Sequence, residues 1–337
     1  MTEMTVLNGV AIEELLTIPM AVEAVEQAYL EKSKGDAALW PMVFHEFDPG
    51  HADLDIKSGD LGGLGFYGLK VVSWFGANPG KGLPALYGTS LLFDLATGAP
   101  RALLNAGPIT DFRTGAAGAI GAKYLARPDA ETLLMAGTGA LAPYLIAATL
   151  YLLPQIKTVC VTNPHHPECS AAACEAITPQ VEKLLSGCGG CHAAIAAAPD
   201  LEKAVRHSDV ILTATPAREP FIKAEWVQPG THISCVGADM PGKQEADSAL
   251  FASAKVFGDD TAQCLSVGEC EVPYKAGVFS GHICEIGGVI SGAEAGRTDA
   301  SDITIFDSTG IALQDIATAA ALLQAAQATG KGQTVTL

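Results

Sequence analysis

Residues 132–142 read Thr-Leu-Leu-Met-Ala-Gly-Thr-Gly-Ala-Leu-Ala, and this stretch decides the fold. The apolar run up to residue 136 predicts a short buried strand, and the spacing G-x-G-x-x-A follows it at Gly137, Gly139 and Ala142. Gly137 permits a tight turn, Gly139 lets the backbone approach a pyrophosphate at a helix N-terminus, and Ala142 is small enough for helix–strand packing. An ordinary strand–helix turn has the same glycines, so the dinucleotide prediction depends on the next strand.

Alternating strand and helix patterns continue beyond this turn, which predicts βαβ units around a parallel sheet. The predicted strands are Thr132–Ala136, Thr158–Thr162, Val210–Ala214, His232–Val236 and Lys255–Gly258, with helices from about Leu141 and over Ala171–Leu185. The fold class is therefore α/β, with a Rossmann dinucleotide-binding domain over residues 128–313. Asn163 follows the second strand, where an acid would select NAD and an Arg would select NADP, so both cofactors stay open.

The N-terminal part has a different pattern, with apolar runs separated by Gly, Pro and Asp turns. We predict strands at Met42–Phe47, Leu54–Lys57, Phe66–Trp74 and Thr89–Phe93, forming an antiparallel sheet with one covered face. The helical stretch Gln314–Thr329 is predicted to return to this part of the chain. The second domain is thus an α+β unit of residues 1–127 plus 314–337.

Composition bounds the function classes. The chain has 337 residues, is 49% hydrophobic and carries a net charge of −17, which describes a globular protein of about two domains. An acidic surface argues against nucleic-acid or anionic-membrane partners, because both require basic surfaces. The uncharged stretch 132–156 is interrupted by glycine and proline, which favours a buried strand–turn–helix over a membrane span. Nine unevenly spaced cysteines and no visible secretory signal predict a reducing cytoplasm.

Two cysteine patterns imitate cofactor sites. Cys188–His192 has the C-x-x-C-H spacing of a c-type haem, but its glycine-rich flanks favour an inert loop. His165, His166, Cys169 and Cys174 do not match any zinc-finger spacing. We therefore predict no metal site.

Four charged residues lie in apolar or glycine-rich strings, where an isolated charge is costly. Lys57, Lys70 and Arg113 lie in or beside the N-terminal strands, and Asp239 follows a strand of the predicted parallel sheet. Each one alone is compatible with an internal ion pair. Together they predict a joint site for an anionic substrate.

The strings around these residues resemble the ornithine cyclodeaminase/mu-crystallin family. The resemblance covers residues 10–325 and rests on the segments 70–78, 82–84, 94–98, 109–117, 123–126, 237–245, 268–269 and 306–310. It implies a homodimer in which the second domain, formed by both chain ends, binds substrate and pairs its sheet with that of a partner. The family includes NAD(P)-dependent imine reductases, amino-acid dehydrogenases and cyclodeaminases.

The resemblance also implies roles for individual residues. Lys70 and Arg113 would bind the substrate carboxylate, Asp239 would face the reacting nitrogen, and Asp239 and Lys70 would be the catalytic pair. The nicotinamide cofactor would be contacted by Gly137, Thr138, Gly139, Ala140, Leu141, Asn163, Arg113, Lys243 and Ser308.

The chain departs from the family pattern after Pro41, where an Arg that contacts the carboxylate is often found. The string here is Pro41-Met-Val-Phe-His45, and we predict that Lys57 supplies the missing charge and, with His45, holds a second carboxylate. Local strings are most similar to iminosuccinate-reductase members, which favours reduction of a small imino acid to an L-amino acid, or the reverse. A cyclodeaminase-type lyase and a non-catalytic small-ligand binder stay open as alternatives.

Overall fold

A computed structural model describes residues 2–337, which form two compact units. One unit is the chain up to Arg113 together with Ile311–Leu337, and the other is Thr114–Gly310. The predicted domain boundaries lie at 127/128 and 313/314. The first is 14 residues after the boundary between these units, which falls between Arg113 and Thr114 within the helix Ala106–Leu125.

Six strands follow one another between Ala37 and Asn105, and after Ala106–Leu125 strands and helices largely alternate. The strands are β1 (Glu3–Leu7), β2 (Ala37–Leu39), β3 (Val43–Asp48), β4 (Ala52–Leu61), β5 (Phe66–Phe75), β6 (Leu86–Asp94), β7 (Pro100–Asn105), β8 (Thr132–Ala136), β9 (Thr158–Thr162), β10 (Ala194–Ala197), β11 (Val210–Thr213), β12 (His232–Cys235), β13 (Lys255–Gly258), β14 (Cys284–Glu285), β15 (Thr304–Asp307) and β16 (Gln333–Thr336). The α-helices are α1 (Gly9–Leu15), α2 (Ile18–Lys34), α3 (Ala106–Leu125), α4 (Ala142–Leu152), α5 (Ser170–Leu185), α6 (Leu201–Arg206), α7 (Thr261–Val267), α8 (Glu271–Lys275), α9 (Ile286–Ser291) and α10 (Ala312–Thr329).

The first unit contains a mainly antiparallel sheet in the order β16-β1-β7-β6-β5-β4-β2, with β3 also paired to β4. Only β1 and β7 run parallel. Alternate residues of β6 and β7, such as Leu92 and Leu104, are buried, and α10 and α2 pack against the sheet. Leu91 and Leu103 on the opposite face stay partly exposed. One face of this sheet is therefore covered and the other is open.

The second unit contains a parallel sheet in the order β10-β9-β8-β11-β12-β15-β13-β14. Counted from β8, the first five positions follow the 3-2-1-4-5 order of a dinucleotide-binding fold. All eight strands are parallel, and residues of β11, β12 and β15 are fully buried, as expected for a sheet with helices on both faces. The α/β fold class with a Rossmann domain is confirmed.

Helix α3 needs small residues in its second half because neighbouring elements approach it closely. A Cβ atom added to Gly121 would lie 2.3 Å from Phe306 Cδ1, and one added to Gly118 would lie 2.6 Å from Leu145 Cδ2. Ser234 Oγ also donates to the carbonyl of Gly118 at 2.9 Å. The glycine-rich run after residue 114 is therefore explained by close packing of α3 against α4 and β15.

The structure also locates the two cysteine patterns. Cys188 and Cys191 lie in the loop between α5 and β10, and all nine cysteines are free thiols. Within residues 2–337, no cluster of His, Cys, Asp and Glu has the grouping needed to hold a metal ion. None of the helices over the same residues has the length and apolar character to span a membrane.

Candidate functional site

The glycine turn between β8 and α4 has the shape that a dinucleotide requires. Gly137 has a φ of +132°, and a Cβ atom there would lie 2.6 Å from the carbonyl oxygen of Ala214, so only glycine fits. Around Gly139, in contrast, no heavy atom lies within 4 Å of an added Cβ atom. Leu141 is the N-cap residue of α4 and its side chain makes no capping hydrogen bond. Pro143 has no N–H, and the N–H of Ala142 donates to the carbonyl of Gly139 at 3.1 Å, so a bound anion would face the turn itself more than the first turn of the helix. These residues fit a bound pyrophosphate.

Asn163 follows β9 and is tied to this turn. Its Nδ2 donates to Thr138 Oγ1 at 3.0 Å, and its Oδ1 accepts from the backbone N–H groups of His165 and His166. The side chain therefore fixes the loop that borders the turn. Glu168, in the same loop, lies 3.3 Å from His166 Nδ1 and adds a carboxylate to this rim.

The open space at Gly139 gives a direct test of the cofactor site. We expect Gly139→Ala to weaken NADH binding by about tenfold or more, because its methyl group would occupy the space that the pyrophosphate needs. Thermal stability should stay the same or rise slightly, since alanine reduces the freedom of the unfolded chain. Fluorescence titration and a melting curve measure both quantities.

Gly121→Ala is the matched control for this substitution. Its methyl group would collide with Phe306 inside the second unit, so it should lower stability and leave NADH affinity unchanged. Unaltered NADH affinity in Gly139→Ala would contradict the assignment of the turn.

Asp239 lies four residues after β12, at the carboxyl edge of the parallel sheet, where ligands bind in such folds. Its side chain is 51% exposed and accepts a hydrogen bond from Lys243 Nζ at 2.5 Å. The structure thus brings together two of the predicted site residues as an ion pair. Ser308, directly after β15, is buried, and its N–H donates to the carbonyl of Cys235 at 2.9 Å.

Glu245 is a residue of this region that the sequence did not single out. It is fully buried, and its carboxylate accepts from Thr213 Oγ1, from Thr215 N and Oγ1, and from Gly237 N, at 2.6–2.9 Å. These bonds join the ends of β11 and β12, so Glu245 fixes the start of the segment that carries Asp239. Burial raises the pKa of Glu245, and its hydrogen bonds from Thr213, Thr215 and Gly237 act in the opposite direction.

The first unit contains a buried cluster of cations. Lys70 on β5 donates from Nζ to Asp315 Oδ1 at 3.0 Å, and Arg113 on α3 donates from Nε to the same oxygen at 3.2 Å. Arg113 Nη1 also donates to Gln314 Oε1 at 3.0 Å. The side chains of Lys70 and Asp315 are only 3% and 2% exposed, so this ion pair is largely shielded from water. Two predicted substrate-binding residues therefore meet at one carboxylate.

The charges in this cluster alter one another's titration. Burial, followed by the charge of Arg113, lowers the pKa of Lys70 to about 8, although Asp315 acts in the opposite direction. Burial would raise the pKa of Asp315, but the charges of Arg113 and Lys70 outweigh it and lower this pKa below the ordinary value. Asp315 is therefore ionised at neutral pH, and Lys70 changes its charge in the mildly alkaline range.

Lys57 and His45 lie on opposite faces of the sheet. Lys57 is directly opposite Lys70 in the β4–β5 ladder, whereas His45 is opposite Leu54, and residues 54 and 57 of a strand point to different sides. The ring of His45 contacts Phe47, with centroids 5.0 Å apart. The interpretation that Lys57 and His45 of one chain bind the same carboxylate is therefore wrong. Side chains alternate between the two faces along β4, and this places the two residues on opposite sides of the sheet.

Asp315 and Gln314 were also missed from the sequence. Asp315 is the single charged residue in α10, within a helix otherwise made of apolar, Thr and Gln side chains. That isolation was the available signal, since a lone carboxylate in an apolar helix requires a buried partner. The partners are 202 and 245 residues away in sequence, and only the folded chain identifies them.

Comparisons with known proteins bear on the family and the fold of this chain. A family model described as ornithine cyclodeaminase/mu-crystallin family matches residues 2–330. An archaeal alanine dehydrogenase dimer with bound NAD is 36% identical, with 99% of each chain covered and a TM-score of 0.86. The iminosuccinate reductase of Paracoccus denitrificans in complex with NAD⁺ is 31% identical, covering 99% of this chain and 100% of its own, with a TM-score of 0.89.

A third solved structure extends the range of chemistry among the relatives. The Δ1-pyrroline-2-carboxylate reductase of Thermococcus litoralis, in complex with NADH and L-proline, is 30% identical and has a TM-score of 0.87. It covers 98% of this chain and 100% of its own. With the family model matched over nearly all residues, the predicted family is confirmed: this chain belongs to the ornithine cyclodeaminase/mu-crystallin family.

Proposed function

We propose that this protein is an NAD(H)-dependent oxidoreductase that reduces a small α-imino acid to an L-amino acid, or catalyses the reverse reaction. The observation that carries the proposal is that Lys70 and Arg113 both donate to the buried carboxylate of Asp315. The two cations therefore lie side by side, as a substrate carboxylate would require. The glycine turn with its open space at Gly139 supports the cofactor class, as do the NAD-bound relatives.

The residues divide the chemistry among them. When bound, NADH supplies the hydride that adds to the carbon of the C=N bond. Lys70 and Arg113 bind the α-carboxylate, and Arg113 adds the directional donors of a guanidinium. Asp239 stabilises the protonated nitrogen, which makes the carbon a better hydride acceptor, and holds its proton. Lys243 forms an ion pair with Asp239 and so orients its carboxylate.

We favour NADH over NADPH as the cofactor. The loop after β9 contains no Arg or Lys between residues 162 and 169, and Glu168 would repel a 2′-phosphate. Comparison of NADH and NADPH in one assay tests this preference. A lower KM for NADPH would contradict it.

Lys57 suggests that the substrate carries a second carboxylate. It lies across the ladder from Lys70 and acts electrostatically on both Lys70 and Asp315. We expect Lys57→Gln to raise KM for a dicarboxylic imine by about tenfold, because one charge-assisted hydrogen bond to the substrate is lost. KM for a monocarboxylic imine should stay nearly unchanged. Steady-state kinetics with oxaloacetate or pyruvate plus ammonia compare the two, and an equal effect on both would contradict the assignment.

We also propose that the enzyme is a cytoplasmic homodimer. The open sheet face of the first unit presents Val43, Phe75 and Tyr87 as exposed apolar side chains, beside partly exposed Leu69 and Leu91. Such a face is typical of an interface, and the archaeal relative is a dimer. Nine free thiols suit a reducing compartment. Light scattering after size exclusion tests the assembly, and a monomer at micromolar concentration would contradict it.

The decisive experiment for the activity is oxidation of NADH with a panel of 2-oxo acids plus ammonia or methylamine, together with cyclic ketimines. We expect turnover with at least one member, with oxaloacetate the first choice because of Lys57. No oxidation of NADH or NADPH across the panel would refute the reductase. Release of ammonia from ornithine or lysine, with NAD⁺ in catalytic amount and no net NADH, would instead identify a cyclodeaminase.

A further inference from the structure

We propose that Asp315 is the positioning residue of the carboxylate site: its one buried carboxylate fixes Lys70 and Arg113 relative to each other and keeps Lys70 charged. The inference rests on the proposed binding of a substrate carboxylate by these two cations. Asp315 is not required to touch the substrate, since it acts through the residues that do.

The two carboxylate oxygens of Asp315 differ in their contacts. Oδ1 accepts from Lys70 Nζ and Arg113 Nε, whereas Oδ2 is buried and has no hydrogen-bond partner among residues 2–337. A buried ion pair formed for stability alone would use both oxygens, because an unsatisfied buried oxygen costs free energy. The sharing of one oxygen instead brings two cations from different elements to the same point.

The surrounding hydrogen bonds orient the two cations as well. Arg113 Nη1 is held by Gln314, whose Nε2 donates to the buried Tyr29 hydroxyl at 2.8 Å. Lys70 Nζ also approaches Thr110 Oγ1 at 3.4 Å. The contacts of Arg113 described above use Nε and Nη1, and those of Lys70 use two of the three N–H groups on Nζ. We infer that Arg113 Nη2 and the third N–H of Lys70 serve the incoming carboxylate.

The charge balance explains why a carboxylate is needed here. Lys57, Lys70 and Arg113 come from β4, β5 and α3, and all three act on Asp315, which comes from α10. Ser90, the neighbour of Lys70 on β6, is uncharged. Lys70 is buried beside two like charges, which both disfavour its protonated form, and Asp315 opposes them. Without Asp315, the protonated form of Lys70 would be lost at a lower pH.

The test is a pH series of carboxylate binding to the enzyme saturated with NAD⁺. Pyruvate without ammonia is the probe, because it has a carboxylate but no nitrogen that titrates. For the wild type we expect affinity to fall above about pH 8, where Lys70 loses its proton. In Asp315→Asn this fall should begin at least about half a pH unit lower, since the opposing negative charge is removed.

Two further variants separate positioning from a merely structural role. Asp315→Glu keeps the charge and should restore the wild-type pH profile, with about tenfold weaker binding because the carboxylate is displaced. Tyr29→Phe breaks the outer hydrogen bond of the same network without changing any charge, so it should leave the pH profile unaltered. We expect both variants to lose some thermal stability, because each disturbs a buried contact. Loss of stability alone would then not account for a shift that only Asp315→Asn shows.

The outcomes distinguish this inference from the proposed function. If the wild type binds pyruvate but Asp315→Asn has the same pH profile, the role of Asp315 is refuted and the carboxylate site stands. If the wild type does not bind pyruvate and also fails the whole imine panel, the proposed function is refuted together with the inference. If Asp315→Asn does not fold, Asp315→Glu tests the role of Asp315 instead. Its pH profile of pyruvate binding must match that of the wild type, and a different profile would refute the role.

Discussion

Replacement of Asp239 by Asn is expected to lower kcat by about 10²–10⁴-fold, the range for removal of a general acid–base group. The amide keeps the size of the side chain but has no negative charge to stabilise a protonated imine. In the wild type, Lys243 Nζ lies 2.5 Å from the Asp239 carboxylate, and the substitution removes this anionic partner. Affinity for NADH should change little, because the proposed pyrophosphate site is the glycine turn before α4 and does not include Asp239. Stopped-flow reduction and NADH titration measure the two effects separately.

The same variant separates an enzyme from a non-catalytic binder. A binder would keep its ligand affinity in Asp239→Asn and would show no turnover to lose. Glu219→Gln is the control, since it removes an exposed carboxylate from the same unit and should leave kcat unchanged. Full turnover in Asp239→Asn would show that the reacting nitrogen depends on another group.

Arg113→Lys is expected to raise KM for the imino acid by about tenfold to a hundredfold, which corresponds to about 1.5–3 kcal/mol for one charge-assisted hydrogen bond. Lysine keeps the positive charge and can still pair with Asp315, but it lacks the planar array of donors that reaches Asp315, Gln314 and a ligand together. Because the contact holds substrate in the ground state and the transition state alike, kcat should fall much less than KM rises.

The control for this substitution is Arg101→Lys on β7. Arg101 pairs with Asp94 at 3.3 Å on the surface of the same unit, where such pairs contribute little. Steady-state kinetics should be the same as for the wild type. A large fall in kcat with constant KM in Arg113→Lys would instead assign Arg113 to the chemical step.

Much of the second unit could be predicted because its strands are buried and its turns have distinctive residues. β8, β9 and β13 have the predicted bounds, and α5 begins one residue earlier than expected. The prediction lacks β10 and β14, which are short edge strands with weak apolar patterns. It also lacks β15, a buried central strand of only four residues. In the first unit the prediction lacks β1, β2, β7 and β16. β2 is an edge strand of three residues, and β1 and β16 pair with each other from opposite ends of the chain.

The candidate site divides in the same way. Lys70, Arg113 and Asp239 were visible because a charge in an apolar or glycine-rich string is unusual. Asp315 was not selected, although it is equally isolated in α10, because nothing in the local pattern names its partners. The prediction that His45 lies beside Lys57 fails for another reason. Which residues of two strands share a face depends on their register, and the register here is set by the pairing of β3 with β4.

The sequence by itself determined the fold class, the dinucleotide turn and the kinds of charge available, because strand periodicity, glycine geometry and the cost of a buried charge act over a few residues. Only the tertiary structure decided that Lys70 and Arg113 share one oxygen of Asp315, and that Lys57 and His45 face opposite sides. Contacts between residues some 200 positions apart depend on how the whole chain packs, and no local pattern encodes them.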